Sequence, residues 1–351
     1  MLEQIPSQTH EAVYRADRPD LGVTFFIALH STRLGPAFGG ARMWRYQTEA
    51  DALSDALRLS EGMTYKNAMA ELDVGGGKSV LWLREPGKAS RAAIFTAFGD
   101  ILEELGGRYI SAEDVGTSVA DMQVVRTRTR HIAGLPPAEG RAGGDPSPWT
   151  ALGVFCAMQA VLDDAGRPWR GVKVAVQGLG AVGGRLCGLL AEAGADLIVS
   201  DVSGDRAMEV AERYSAVMVD PSLILRAPVD ILAPCALGGI LNPQTIPDLN
   251  AQYVVGAANN QLATPEDGDQ LAQRGVLYVP DYVANAGGII CAVEEFRGRN
   301  ADRVDEKVRV IGPRVGDILR LADQQGRAPF RVAQAMVDDI LAAPVLARVE
   351  A

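Results

Sequence analysis

Basic residues in this 351-residue chain are mostly arginine: of 34 lysines and arginines only five are lysine, at Lys66, Lys78, Lys88, Lys173 and Lys307. A lysine kept against that bias is a candidate for chemistry, because an ammonium can be tuned to lose its proton and a guanidinium effectively cannot. Lys66 and Lys78 lie twelve residues apart. Two neighbouring ammonium groups repel, so one of such a pair is expected to titrate low and act as a base. Asp114, after the strand-like "RYISAE", offers a carboxylate that could relay protons, and equally one that could cap a helix or pair at the surface.

Lys78 ends a glycine run in "VGGGKSV". A phosphate-binding P-loop would need glycine five positions before Gly77, and Leu72 stands there. The pairs and runs at Gly39-Gly40 and Gly75 to Gly77 are expected instead to let a small substrate's carboxylate or amine approach backbone N–H groups. The phosphate site is expected a hundred residues later. "VAVQGLGAVGG" carries Gly178-x-Gly180-x-x-Gly183 between a strand and a helix that opens with Ala181 and Val182. Asp201 ends the next strand, 18 residues after Gly183, where a carboxylate can accept from a ribose 2′-OH and repel a 2′-phosphate. That constellation predicts NAD rather than NADP, with the pyrophosphate on the helix N-terminus.

The elements that must position these residues change character along the chain. "GVTFFIALH" is a predicted strand. "TEADALSDALRLSEGM" is a predicted helix with Thr48 as N-cap and Asp51 completing an acidic capping box. Its buried face is expected at Leu53, Ala56, Leu57, Ser60 and Met63, with Lys66 near its end and Lys78 at the start of the strand "SVLWL". A second strand, "RYISAEDVGT", leads into a loop carrying Glu113 and Asp114. "AEGRAGGDPSPW" reads as a linker. Beyond it, "VKVAVQ", "DLIVSD", "VDILAP", "YVVGAA" and "VLYVP" alternate with helical segments, the pattern of a parallel sheet covered on both faces. The predicted fold class is α/β: an N-terminal mixed α/β substrate domain over residues 1–140, and a Rossmann-type, doubly wound NAD-binding domain over 141–328. A cleft is expected between them, and a last helix near 329–351 is expected to pack back on the first domain.

Several classes are excluded by composition. A net charge of −10 supplies no basic stripe for nucleic acid. No apolar run is long enough for a membrane span, and the N-terminus lacks the pattern of a secretory signal. The three histidines, His10, His30 and His131, are scattered, and the four cysteines form no metal-ligand spacing, so no metal is expected. A cytoplasmic protein with reduced thiols fits this usage.

The segments "LGPAFGGARMW", "DALRLSEGMTYKNAMA", "VGGGKSV", "RYISAEDVGT", "VQGLGAVG", "APCALGG", "GAANNQLA" and "PDYVANAGG" resemble, in order, the glutamate/leucine/phenylalanine/valine dehydrogenase family. The resemblance runs from about residue 22 to the last helix and is greatest to the leucine, valine and phenylalanine members. It implies interconversion of an L-amino acid with its 2-oxo acid and ammonia, using NAD, in a homo-oligomer of unspecified size. It implies Lys66 as the grip on the substrate carboxylate, Lys78 as the base that activates water, and Asp114 as its acid/base partner. Asn259 or Asn260 would lie near the ribose and the substrate amine, Ser147 and Thr150 near the nicotinamide carboxamide, and Cys235 and Ala236 on its other side.

The same resemblance places Phe38, Gly39, Gly40, Ala112, Ile289 and Ala292 around the substrate. Glutamate enzymes of the family use a lysine where this chain has Phe38, so an anionic side chain would be left unpaired here. Branched aliphatic substrates, leucine or valine, are expected, with phenylalanine as the alternative. A protein that binds NAD for regulation without catalysis is the rival reading, opposed by the intact Lys66, Lys78 and Asp114 set.

Overall fold

The computed structural model describes residues 2–343. The chain divides into two compact units. The first comprises the chain to Asp145, Ile289–Val304 and the described residues from Val337 on; the second comprises Pro146–Gly288 and Asp305–Met336. This differs from the expected division into 1–140 and 141–328 with a last helix packing on the first domain: the segment from Ile289 binds first-unit groups, Phe330 near the start of the last helix joins the second unit's core, and residues 344–351 of the expected helix lie outside the described residues. Glu295 accepts hydrogen bonds from the backbone N–H groups of Gly134 and Leu135 at 3.1 and 2.9 Å, and Phe296 meets Phe38 edge-on.

The first unit is built on strands β1 (Leu2–Ile5), β2 (Ala12–Arg18), β3 (Val23–Ser31), β4 (Ala37–Trp44), β5 (Gly75–Leu83) and β6 (Tyr109–Glu113), in sheet order β1-β2-β3-β5-β4-β6. The β1/β2, β2/β3 and β3/β5 pairs are antiparallel, and β4 runs parallel to both β5 and β6. Helix α1 (Glu49–Met69) covers one face, and α2 (Arg91–Glu104) and α3 (Val119–Arg126) belong to the core on the other. Strand β3 is therefore buried on both sides and sorts by period two. Phe25, Ile27 and Leu29 join Phe95 and Phe98 of α2, while Phe26 and Ala28 join Ala52 and Ala56 of α1.

Thr48 caps α1 as expected: its side chain accepts from the Asp51 N–H, and the Asp51 carboxylate reaches back to the Thr48 N–H. The buried stripe is turned by about one position from expectation. Ala52, Ala56, Leu59, Ser60 and Thr64 are buried, whereas Leu53, Leu57 and Met63 are half-buried. Small side chains sit where the helix approaches the sheet most closely, and the larger leucines flank them. Lys66 lies in the last turn. Lys78 is inside β5, not at its start, because the three glycines are themselves strand residues.

The second unit contains α4 (Ser147–Asp164), β7 (Lys173–Gln177), α5 (Ala181–Ala193), β8 (Asp196–Ser200), α6 (Gly204–Tyr214), β9 (Val217–Met218), β10 (Val229–Pro234), β11 (Ala251–Val254), α7 (Pro265–Gln273), β12 (Leu277–Tyr278) and α8 (Asp281–Ala284). Its six strands are all parallel, in the order β12-β11-β10-β7-β8-β9, which is the order of a Rossmann sheet. The order reverses between β7 and β10, so the crevice at that point opens beside the glycine turn after β7. Four further helices follow: α9 (Gly287–Phe296), α10 (Ala301–Arg309), α11 (Ile311–Gln325) and α12 (Pro329–Ala342).

Candidate active site

Lys78 shares strand parity with Val80, which packs in the α1-side core, so its side chain lies on the face of the sheet covered by α1. There its Nζ lies 2.8 Å from Asp114 Oδ2, and the two side chains are only 7% and 19% exposed. Asp114 directly follows β6 and opens a turn: Thr117 Oγ1 accepts from the Asp114 N–H and donates to the carbonyl of Ala41 on β4. Gly116 adopts φ +81°, and a Cβ there would sit 2.0 Å from the Met43 carbonyl oxygen. Only glycine lets this loop fold back against β4.

Arg42 on β4 places Nε 3.3 Å from Asp114 Oδ2 and donates through Nη1 to Asp55 of α1 at 2.8 Å, and Asp55 also accepts from Tyr46 and Arg58. Burial would push the Asp114 carboxyl up, but the Lys78 ammonium and the Arg42 guanidinium outweigh it and hold the group down at about 2. Asp114 is thus ionised at neutral pH and accepts from Lys78 in this geometry. Sequence reading isolated Lys78 and Asp114 but missed Arg42 and Asp55. In an arginine-rich chain nothing marks one arginine, and its partners lie 13 and 72 positions away.

Packing of the protein on itself requires these glycines. A Cβ on Gly75 would strike the Ser31 carbonyl oxygen at 2.0 Å, one on Gly76 would strike Thr64 N and Oγ1 of α1 at 2.1 Å, and one on Gly77 would meet the Tyr109 ring at 2.7 Å. Gly39 likewise faces the Gly77 carbonyl oxygen at 1.9 Å. These glycines let the protein close on itself, which brings α1, with Lys66, against the strand that carries Lys78. Gly40 differs: the nearest atoms to its Cβ position are Asp114 Cβ, the Glu113 carbonyl oxygen and Lys78 Nζ, the last at 3.3 Å. Any side chain at residue 40 would press on the Lys78–Asp114 pair. Beneath the strands, the buried Tyr109 hydroxyl donates to the Gly39 carbonyl oxygen at 3.1 Å, and burial pushes it up to about 12.

Phe38 is completely buried and lies 6.1 Å, ring centre to ring centre, from Phe296. Ile289, Ala292 and Phe296 recur at helical spacing on one face of α9, so this contact brings Phe38 to the face that carries two of the expected pocket residues. Ala112, the fourth, is buried on β6 opposite Gly40. Phe296 was not anticipated. With no accessible surface of its own, Phe38 shapes its surroundings through Phe296.

In the second unit the glycine turn separates self-packing from ligand access. A Cβ on Gly178 would meet Ala236 at 2.7 Å, and one on Gly183 would meet the Gly178 carbonyl oxygen at 2.0 Å. A Cβ on Gly180 would meet nothing within 4 Å, so packing does not require glycine there. Gly180 is the N-cap of α5 and contributes no side-chain hydrogen bond, which leaves first-turn N–H groups of Ala181, Val182 and Gly183 to an outside acceptor. A dinucleotide pyrophosphate fits this cradle. Val202, next to Asp201, is an exposed apolar side chain at 95%.

The remaining expected cofactor residues take varied positions. Ser147 and Thr150 lie in the first turn of α4 rather than in a linker, and Thr150 Oγ1 donates to the Pro146 carbonyl oxygen at 3.2 Å. A Cβ on Gly287 would lie 1.9 Å from the Trp149 carbonyl oxygen, which accounts for the glycines of "NAGG". Cys235 donates its N–H to the Gln177 carbonyl oxygen at 2.7 Å, holding β10 and Ala236 beside the glycine turn, and burial pushes its thiol up to about 12. Asn259 Oδ1 accepts from Asn285 at 2.9 Å, while Asn260 is held at φ +52° with its N–H on Asp281.

A Rossmann sheet with an open glycine cradle, on a chain whose other unit buries a Lys–Asp pair, defines a nicotinamide-nucleotide-dependent dehydrogenase. Residues 10–131 match "Glu/Leu/Phe/Val dehydrogenase, dimerisation domain", and residues 203–311 match "Glutamate/Leucine/Phenylalanine/Valine dehydrogenase". The chain is 42% identical to the leucine dehydrogenase of Geobacillus stearothermophilus, over 97% of this chain and 92% of that one. It is 44% identical to the valine dehydrogenase of Streptomyces virginiae, over 94% and 93%. The crystal structure of L-tryptophan dehydrogenase from Nostoc punctiforme superposes with a TM-score of 0.82 at 39% identity, covering 95% of this chain and 96% of that one. The chain belongs to the glutamate/leucine/phenylalanine/valine dehydrogenase family, and is an amino-acid dehydrogenase.

Proposed function

We propose that this protein catalyses the NAD-dependent, reversible oxidative deamination of a branched aliphatic L-amino acid, leucine or valine, to its 2-oxo acid and ammonia. The observation that carries the chemistry is the buried Lys78–Asp114 pair at 2.8 Å, pressed against Gly40. Lys66, in the last turn of α1, holds the substrate carboxylate. Asp114, ionised at neutral pH, takes a proton from the substrate ammonium. NAD, held at the Gly178–Gly183 turn, would supply the hydride acceptor for Cα. Lys78 is read as the base that takes a proton from the water adding to the iminium carbon; Asp114 returns its proton to the amine and, as ammonia leaves, accepts the hydroxyl proton of the carbinolamine, which gives the 2-oxo acid.

The apolar set Ile289, Ala292 and Phe296, the last backed by the buried Phe38, supports an uncharged side chain, and relatives named leucine and valine dehydrogenase support a branched aliphatic one. Asn260 is read as a contact to the substrate amine and Asn259 as one to the ribose. Four free cysteines support a reducing, cytoplasmic setting. An aromatic substrate is the second reading, favoured by the small Ala292 and by the likeness to a tryptophan dehydrogenase. A screen of the twenty amino acids for NADH formation by absorbance tests both. Leucine or valine should give the highest kcat/KM; phenylalanine or tryptophan in first place would select the aromatic reading, and NADH binding without turnover on any of them would overturn catalysis.

A further inference from the structure

Two cations converge on one oxygen of the Asp114 carboxylate. Lys78 Nζ lies 2.8 Å and Arg42 Nε 3.3 Å from the same atom, Oδ2. No side chain donates to Oδ1 among the described residues, and the backbone N–H of Val115 also faces the carboxylate. Arg42 lies two residues along β4 from Gly40 and so shares its face of the sheet. Its outer end is anchored. Nη1 donates to Asp55 Oδ2 of α1 at 2.8 Å, and Asp55 in turn accepts from the Tyr46 hydroxyl and, at 2.9 Å, from Arg58 Nη2. The Arg42 and Asp55 side chains are only 20% and 13% exposed, which shelters their pairing from solvent screening.

We propose that Arg42 is the positioning residue of the proton-transfer step: together with Lys78 it fixes Asp114 Oδ2, and so leaves Oδ1 as the atom that takes the proton of the substrate ammonium. The proposal rests on reading Asp114 as the proton carrier. In that step an N–H bond breaks, its electron pair stays on nitrogen, and the proton forms an O–H bond at Oδ1. Arginine suits this place where lysine would not. Its planar fork holds Asp114 through Nε and Asp55 through Nη1 in one geometry, whereas a single ammonium on a flexible stem cannot fix both. A guanidinium also keeps its charge throughout. While Lys78 serves the attacking water, Arg42 therefore remains a cation on Oδ2, and the buried carboxylate is not left uncompensated.

The test is a double-mutant cycle on the whole protein, with kcat and KM read from NADH absorbance at high enzyme concentration and NADH affinity from calorimetry. Arg42→Lys keeps the charge and loses the fork. It should lower kcat about 10- to 100-fold, the effect of a misplaced reacting group, while KM for the amino acid and NADH affinity stay within about threefold of native. In an Asp114→Asn background, which already lacks the proton acceptor, the same change should cost less than about threefold. Asp55→Asn frees the outer end of Arg42 and gives the same comparison if Arg42→Lys does not fold. Equal losses with and without Asp114 would show a merely structural role and overturn the proposal, as would native kcat in Arg42→Lys. Turnover retained in Asp114→Asn alone would instead overturn the reading of Asp114 as the proton carrier.

Discussion

Lys78 and Asp114 are expected to separate cleanly in kinetics. Replacing Lys78 with alanine should lower kcat by about 10²–10⁴, the usual contribution of a positioned base, while calorimetric affinity for NADH stays near that of the native protein. Retained turnover would assign the base elsewhere. Asp114 also carries a stability prediction with a definite sign. Its carboxyl is held at about 2 in the folded chain, below the value of about 4 in an unfolded one, so the unfolded state binds the extra proton. The stabilisation, on the order of 2 kcal/mol, is fully present above about pH 4 and is lost as the pH falls toward 2. Urea unfolding of the native protein and of Asp114→Asn at pH 6 and pH 3 should show the native protein losing more stability than the variant. Parallel losses would show that Asp114 is not held down by its partners.

Elements, not single residues, explain the glycine run in β5. Gly76→Ala would place a methyl against the backbone nitrogen of Thr64, so α1 must shift or the strand must bend. The expected cost is about 1–3 kcal/mol, read as a fall in the urea midpoint, and KM for the amino acid should rise because Lys66 moves with α1. An unchanged midpoint would mean that the helix yields freely. Element identity was legible wherever the signal was local. The Thr48–Asp51 box, the "FFIAL" strand and the β7–turn–α5 unit need only neighbours within a few residues. The rotation of the α1 stripe was not legible, since Leu53 and Ala52 are both apolar and only the facing sheet decides which one points inward.

At the scale of the whole molecule, β1 ends the first sheet, with no further strand beside it among the described residues. An open strand edge invites pairing with another chain, and residues 10–131 match a dimerisation domain. A homo-oligomer is the expected outcome in sedimentation, with a midpoint of thermal unfolding that rises with protein concentration. A monomer whose Tm is independent of concentration would overturn it. The sequence alone determined the chemistry-bearing types and the local frames that hold them: Lys78 as a lysine, Asp114 at a strand end, and Gly180 before a helix. Each of these depends on side-chain chemistry or on spacing along the chain. Tertiary structure alone decided that Arg42 braces Asp114, that Phe296 backs Phe38, that the β5 glycines admit a helix, and that Arg206 covers Asp201. Except for Arg206, which lies five positions past Asp201 in the first turn of α6, these contacts join distant positions through sheet order and register, which no local pattern encodes. The Arg206 contact was close in sequence, but it needed the strand end and helix start to be folded before its direction could be known.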